Sequence, residues 1–382
     1  MRHWLTVFAH VILTVAAHGQ STRFRDPVFT TVQTFSNVAY GAATNPWTNV
    51  TTALLGDIYQ PQSDTLAGRP AVVVIHGGGF TGGSKSEAHM VAVSHDLATR
   101  GYVVMSIDYR LAPTGTPASE GLALVAMEDA KAAVRYLRMN ALSLQIDPSR
   151  IATLGGSAGA ITALYVATHP SEGASGNPGW PSNVQVVISL WGMLFDVTLL
   201  DAGEPPLCLI HGTNDPVVPY AAALALQSRA ALVGVPCVLH PLPGAAHAPW
   251  ILFPQFRPVY VTFLYEHLTL GQLSGLAVRP GFASPGNLTL DSFGVSNDII
   301  IPCVSLPAAP LLLPGLGTLL LDPVNFLSFT APPLSPSSTI ATAPFTLAVP
   351  AGLAGYTFAW QELQTKTSGE LRLLTNAVLT SF

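Results

Sequence analysis

The sequence predicts an α/β fold, a mostly parallel central sheet flanked by helices over residues 20–272, followed by a small all-β C-terminal domain over residues 273–382. Three observations predict it. Between about residues 70 and 270, apolar β-branched runs alternate with longer amphipathic or Ala-rich segments, as strand–helix–strand units do. Ahead of them, TVQTFSNVAY and ALLGDIYQP read as antiparallel leader strands. After residue 270 the pattern changes to short apolar runs punctuated by Pro, Gly and Ser, ending in FTLAVPAG, YTFAWQEL and LRLLTNAVLTSF, which is the texture of an all-β unit.

The central strands are AVVVIH from Ala71, YVVMSID from Tyr102, RIATLGG from Arg150, VQVVISLWG from Val184, PLCLIHG from Pro206 and VPCVLHP from Val235. Helices fill the gaps. The clearest is EDAKAAVRYLRMNAL from Glu128, followed by ALYVATH from Ala163, AAALALQSRAALVG from Ala221 and FRPVYVTFLYEHL from Phe256, each with apolar residues at helical spacing.

A chain of 382 residues is long enough for one large core and a smaller second domain. Charged residues make up 10% of it and the formal net charge is −5, against about 25% charged residues in an ordinary soluble protein. Nothing basic enough to hold nucleic acid is present. The mean hydropathy of +0.43 raises the possibility of a membrane protein, but past the N-terminus the apolar runs are short and broken, as in PAAPLLLPGLGTLLLDP from Pro307. They read as strands rather than spans.

The first residues differ. Met1, Arg2 and His3 precede an apolar stretch from Trp4 to Ala17 that is short for a bilayer span and fits a signal peptide over residues 1–19. Ala17 and Gly19 suit the −3 and −1 sites of a signal peptidase, so cleavage is expected before Gln20, and with it export to an extracellular or periplasmic location. Export permits disulfides, but Cys208, Cys237 and Cys303 are odd in number, so one thiol is left without an intrachain partner. Cys208 and Cys237 fall in neighbouring predicted strands and read as small buried residues. No spacing suggests a metal site, and no cofactor is expected.

The sharpest chemical signal is Gly155-Gly156-Ser157-Ala158-Gly159, a G-x-S-x-G pentapeptide where a buried strand hands over to a helix. In so tight a turn only small residues fit around the serine, which lifts its Oγ above the sheet. The plain alternative is a Gly/Ser helix start in which Ser157 merely caps. Against it stands His76-Gly77-Gly78-Gly79-Phe80, directly after the strand AVVVI, because acyl transfer needs backbone N–H groups aimed at a developing oxyanion and glycines let the backbone come close.

With both motifs present, the chain over about residues 50–270 resembles the α/β-hydrolases, in particular hormone-sensitive-lipase-like carboxylesterases and the feruloyl and acetyl-xylan esterases. The resemblance implies that Gly78, Gly79 and Ala158 donate their N–H groups to the oxyanion. It also covers Asp108-Tyr109-Arg110-Leu111-Ala112-Pro113, which is taken as structural. The chain departs from those relatives in its short segment between the strands at Val184 and Pro206, where a helical cap is usual, and this suggests an open cleft. Gly77, Gly79 and Gly82, with Asp108 ending the next strand, also satisfy a dinucleotide-binding G-x-G-x-x-G pattern, but that reading leaves the serine turn and the later acid and histidine unexplained.

The base must be a histidine, which can take a proton from serine near neutral pH and return it to the leaving alcohol. In the order Ser, acid, His, the candidates are His169, His211, His240, His247 and His267. His247 lies in LPGAAHAPW, a small-residue loop after the last core strand, free to reach Ser157. The others sit at strand or helix ends. Asp215 in HGTNDPVVP follows a strand and precedes His247, and its loop is similar to the D-P-V-V-P loop of these hydrolases. Asp196, after the preceding strand, is the alternative acid, and a turn-forming role before Pro216 is the plain reading of Asp215. Phe80, Trp191 and Trp250 are candidates for an aromatic acyl or alcohol pocket.

The expected function is therefore a secreted serine carboxylic-ester hydrolase (a carboxylesterase) that acts on small or polymeric esters, such as acylated polysaccharide, with the C-terminal domain a possible attachment to polysaccharide or cell surface. Two alternatives stand beside it. One is a prolyl-oligopeptidase-like peptidase, though only about 50 residues separate the signal peptide from the first central strand. The other is a surface-binding protein with an inactive hydrolase core.

Overall fold

The computed structural model describes residues 23–270 in full and, after them, the backbone of ten strands between Gly275 and Ser381. The signal-peptide expectation at residues 1–19 lies outside the described residues, as does the domain junction near residue 272.

Eight strands form the central sheet: β1 Val32–Thr44, β2 Thr51–Pro61, β3 Arg69–Ile75, β4 Val103–Ile107, β5 Ile146–Gly156, β6 Val186–Leu190, β7 Leu207–Gly212 and β8 Cys237–Leu242. They lie in the order β1-β2-β4-β3-β5-β6-β7-β8. Antiparallel pairing is confined to β1–β2 and β2–β4, and every pair from β4 to β8 is parallel. The leader strands thus join the sheet as the sequence implies. All seven residues of β3 and all five of β4 are buried, because a parallel sheet carries helices on both faces.

Side-chain alternation divides the core in two. Ala71, Val73 and Ile75 of β3 face the cluster that includes Ala133, Leu137 and Leu164, whereas Val72 and Val74 face the one built with Met90, Leu97, Phe256 and Leu264. A period of two in the strand therefore assigns α2 Glu120–Met139 and α3 Ala158–Thr168 to one face, and α1 Ala88–Thr99 and α5 Phe253–His267 to the other. Helix α4 Tyr220–Val233 packs Leu226 and Ala230 with the first group.

All four helices expected from the sequence start earlier, α4 by one residue at Tyr220, α5 by three at Phe253, and α2 and α3 by more. α2 opens at Glu120 rather than Glu128, since Leu122, Ala123, Ala126 and Met127 already form its buried stripe. α3 opens at Ala158 rather than Ala163, directly behind the serine. Helix α1 adds to the helices expected from the sequence, with Met90, Val93 and Leu97 as its buried face at helical spacing. Cys208 and Cys237 are free thiols on the paired strands β7 and β8, and burial raises both, Cys237 to about 11. Between β6 and β7 the described chain has a single short helical turn, Val197–Leu199, and no helical cap.

Beyond residue 270, Gly286–Val295 pairs antiparallel with Ile340–Val349, and Ile299–Ser305 with Thr357–Thr365.

Candidate active site

Strand β5 ends at Gly156 and α3 begins at Ala158, so Ser157 alone makes the turn, with φ 54° and ψ −120°. A non-glycine residue rarely adopts this conformation, which costs of order 1–3 kcal/mol and persists where the surroundings over-determine it. They do so here. The Ser157 amide donates to the Leu190 carbonyl at 2.9 Å and the Ser157 carbonyl accepts from Ile161 at 2.9 Å. The flanking glycines are obligatory on steric grounds: a Cβ on Gly155 would lie 2.1 Å from the Gly159 carbonyl oxygen, and one on Gly159 would lie 2.1 Å from that of Ile75.

The glycine loop after β3 borders the same cleft. Gly78 has φ 101° and Gly79 φ 61°, and the Gly78 carbonyl is turned away into hydrogen bonds from the Thr81 and Gly82 amides, both 3.1 Å. The loop is braced from below. The His76 ring stacks on Tyr109 with centroids 4.3 Å apart, and the Tyr109 hydroxyl reaches the His76 and Gly77 carbonyls at 3.2 Å. Asp108 accepts from the Lys85 amide at 2.7 Å, and the Lys85 ammonium pairs with Asp57 at 3.3 Å. These contacts give Asp108 a bracing role, and α1 opens only at Ala88, so the dinucleotide-type pattern lacks its helix start.

The acid and the base meet behind the serine. His247 Nδ1 donates to Asp215 Oδ2 at 2.7 Å, and His247 Nε2 lies 2.8 Å from Ser157 Oγ. Asp215 Oδ1 accepts the Val217 and Val218 amides at 2.8 and 2.9 Å. Burial pushes the Asp215 carboxyl upward, but the bond from His247 and the two amides outweigh it and hold the group below the usual carboxylate range. Asp215 is thus an anion poised to accept from a protonated His247.

The loops carrying these two residues are stitched together. The Thr213 hydroxyl accepts the Gly244 amide at 2.8 Å, and the Asn214 amide donates to the Ala245 carbonyl at 3.0 Å. Gly212 has no room for a side chain, since its Cβ would be 2.5 Å from that same carbonyl oxygen.

Of the remaining sequence candidates, Asp196 is exposed and binds the Thr198 amide and hydroxyl at 2.8 and 2.6 Å. His240 lies on β8, His169 follows α3, and His267 ends α5 against Phe263. His211 comes to the site by another route: its Nε2 donates to the Val218 carbonyl at 2.8 Å and stands 3.3 Å from Asp215 Oδ2.

A cleft of about 340 Å³ opens over Ser157, and Trp191, Trp250 and the Gly77–Gly79 backbone line it. The two tryptophans meet edge to face at 4.9 Å. Trp191 is buried with φ 46°, and His89 stacks on Trp250 at 4.7 Å. Phe80 requires correction. It is 1% exposed in the core beside Tyr109, 6.4 Å between centroids, and is not among the cleft residues, because the loop turns at Phe80 (φ 65°) and gives its ring to the core. Sequence reasoning also missed Glu87 and Met90, which lie off the motifs and carry no local signal, and Val217, which sits in the D-P-V-V-P loop two residues after Asp215.

The BD-FAE family matches residues 56–194. The chain is similar to carboxylesterase NlhH of Mycobacterium tuberculosis, 42% identical over 90 residues, covering 24% of this chain and 26% of that one. It is similar also to the chlorogenic acid esterase of Aspergillus niger, 28% identical over 147 residues, covering 37% and 27%. It thus spans about a quarter of the length of these curated relatives. A propionate-bound esterase of Thermogutta terrifontis superposes with a TM-score of 0.53 at 25% identity, covering 60% of this chain and 93% of that one.

Proposed function

We propose that this chain, an α/β-hydrolase resembling the carboxylesterases, hydrolyses carboxylic esters through an acyl-enzyme on Ser157. One observation carries the reading: His247 bridges Ser157 Oγ and Asp215 at 2.8 and 2.7 Å beside a loop of three glycines. In this mechanism His247 takes the Ser157 proton as Oγ attacks the ester carbonyl, and Asp215 stabilises the imidazolium that forms. The Gly78, Gly79 and Ala158 amides receive the oxyanion. Collapse expels the alcohol, which takes the proton from His247, and water then repeats the sequence on the acyl-enzyme.

The substrate class we favour is an accessible small or polymeric ester, acylated polysaccharide included. A cleft over which the described residues place no helical cap suits it, as does similarity to an esterase named for chlorogenic acid. The N-terminal apolar stretch and the strand-rich C-terminal residues support a secreted enzyme whose second, all-β domain attaches it to its substrate.

The test is a panel of chromogenic esters of increasing acyl length with feruloylated and acetylated xylan, run on wild type and Ser157→Ala. The wild type should turn over at least one ester, react with an organophosphate at Ser157 and lose at least a thousandfold of its rate in the variant. Residual activity within about tenfold of wild type would remove Ser157 from the mechanism.

A further inference from the structure

The side chains of the cleft, apart from the Ser157–His247 pair, are apolar or aromatic with one exception, Glu87. Glu87 is exposed and stands directly before α1, where an acid could cap the helix, yet its side chain makes no capping hydrogen bond. The neighbouring cation, Lys85, is turned toward Asp57 and Asp108 instead, at 3.3 and 3.8 Å. The carboxylate lies against the glycine loop, since a Cβ on Gly83 would come 3.1 Å from Glu87 Oε1. A negative charge therefore borders a bound ester, and among the described residues no Lys or Arg pairs with it, in a site whose other described walls carry no charge. A pocket of apolar walls with a few placed polar groups takes its selectivity from those groups.

We propose that Glu87 is the charge selector of the cleft, favouring esters that carry a cationic group and disfavouring esters that carry a carboxylate. The proposal rests on the esterase reading above and narrows its substrate class. A unit charge about 4 Å from Glu87 in well-solvated surroundings changes reactivity about fivefold relative to an uncharged isostere, with opposite sign for the two charges, and salt reduces the effect.

The experiment compares matched esters in which a cationic, neutral or anionic group occupies the same place: acetylcholine, 3,3-dimethylbutyl acetate and 3-acetoxypropanoate. A second trio carries the charge on the acyl side with a common aryl alcohol. Acid release is measured at pH about 8, where imidazoles are uncharged, at low and high salt, for wild type, Glu87→Gln, Glu87→Lys and Glu266→Gln. Glu266 lies on α5 and controls for net charge.

The wild type should give a cation-over-anion ratio of kcat/KM well above one in at least one trio. Glu87→Gln should lower that ratio about fivefold or more, Glu87→Lys should invert it, and Glu266→Gln should leave it unchanged. A purely helix-stabilising Glu87 would shift the melting temperature and leave the ratio alone. Ratios within about twofold of wild type in both Glu87 variants, with esters turned over normally, would overturn the proposal while leaving the esterase reading intact. No turnover of any ester by the wild type would defeat that reading first, and this proposal with it.

Discussion

His211 Nε2 stands 3.3 Å from the same Asp215 Oδ2 that accepts the His247 proton at 2.7 Å. The contact closes a small ring, because Val218 gives its amide to Asp215 Oδ1 and its carbonyl to His211. A carbonyl only accepts, so the His211 proton is on Nε2. Burial foremost keeps this imidazole neutral by lowering its affinity for a second proton.

His211 is accordingly a positioning residue, and His211→Leu should lower kcat roughly three- to tenfold with little change in KM. Losing its donor leaves Asp215 a stronger acceptor for His247, which moves the acid limb of the kcat/KM profile to higher pH. His211→Asn, which can still donate, should recover much of both effects. An unmoved acid limb in the leucine variant would reduce His211 to packing.

Asp215→Asn should cost several orders of magnitude in rate, since the amide neither fixes the His247 tautomer nor stabilises the imidazolium. Asp196→Asn should stay within about twofold of wild type, as Asp196 serves only its own helical turn. Steady-state rates of the two variants decide between the acids.

Acidification should destabilise the fold over a definable window. His76, His211 and His267 are held below the ordinary histidine value, in each case chiefly by burial. Between those lowered values and about pH 6.5 the unfolded chain binds more protons, so stability rises with pH there and falls on acidification. The carboxyls of Asp129 and Glu204, raised chiefly by burial, act oppositely at lower pH, which limits the test to about pH 7 down to about pH 5.5. Melting temperatures should decline across that range, and a flat or rising curve would contradict the assignment.

Asp64 should be costly to remove although it lies outside the cleft. It pairs with Arg23 and, at 3.4 Å, with Arg69, and all three side chains are at most 2% exposed. Asp64→Ala takes the carboxylate from two buried guanidinium groups while Arg69 keeps its bonds to the Gln60 side chain and the Leu144 carbonyl at 3.0 and 2.8 Å, with an expected loss of about 3–5 kcal/mol. Chemical denaturation measures it, and a loss under about 1 kcal/mol would show that water reaches the pair.

Much of the architecture was legible in the chain because its determinants are local. β-branched runs between amphipathic segments implied the parallel sheet, and the glycines around Ser157 marked the serine turn, since contacts as short as 2.1 Å exclude a side chain at Gly155 and Gly159. Chain order and loop composition then singled out Asp215 and His247 as candidates. The tertiary structure alone brought His247 to Ser157 across 90 residues, set Asp196 apart, drew His211 to Asp215, placed Glu87 in the cleft and sent Phe80 to the core while Trp191 and Trp250 stayed at the cleft wall. These outcomes depend on how β5, β7 and β8 align in the sheet and on which face each loop turns to, and no run of neighbouring residues encodes such long-range packing.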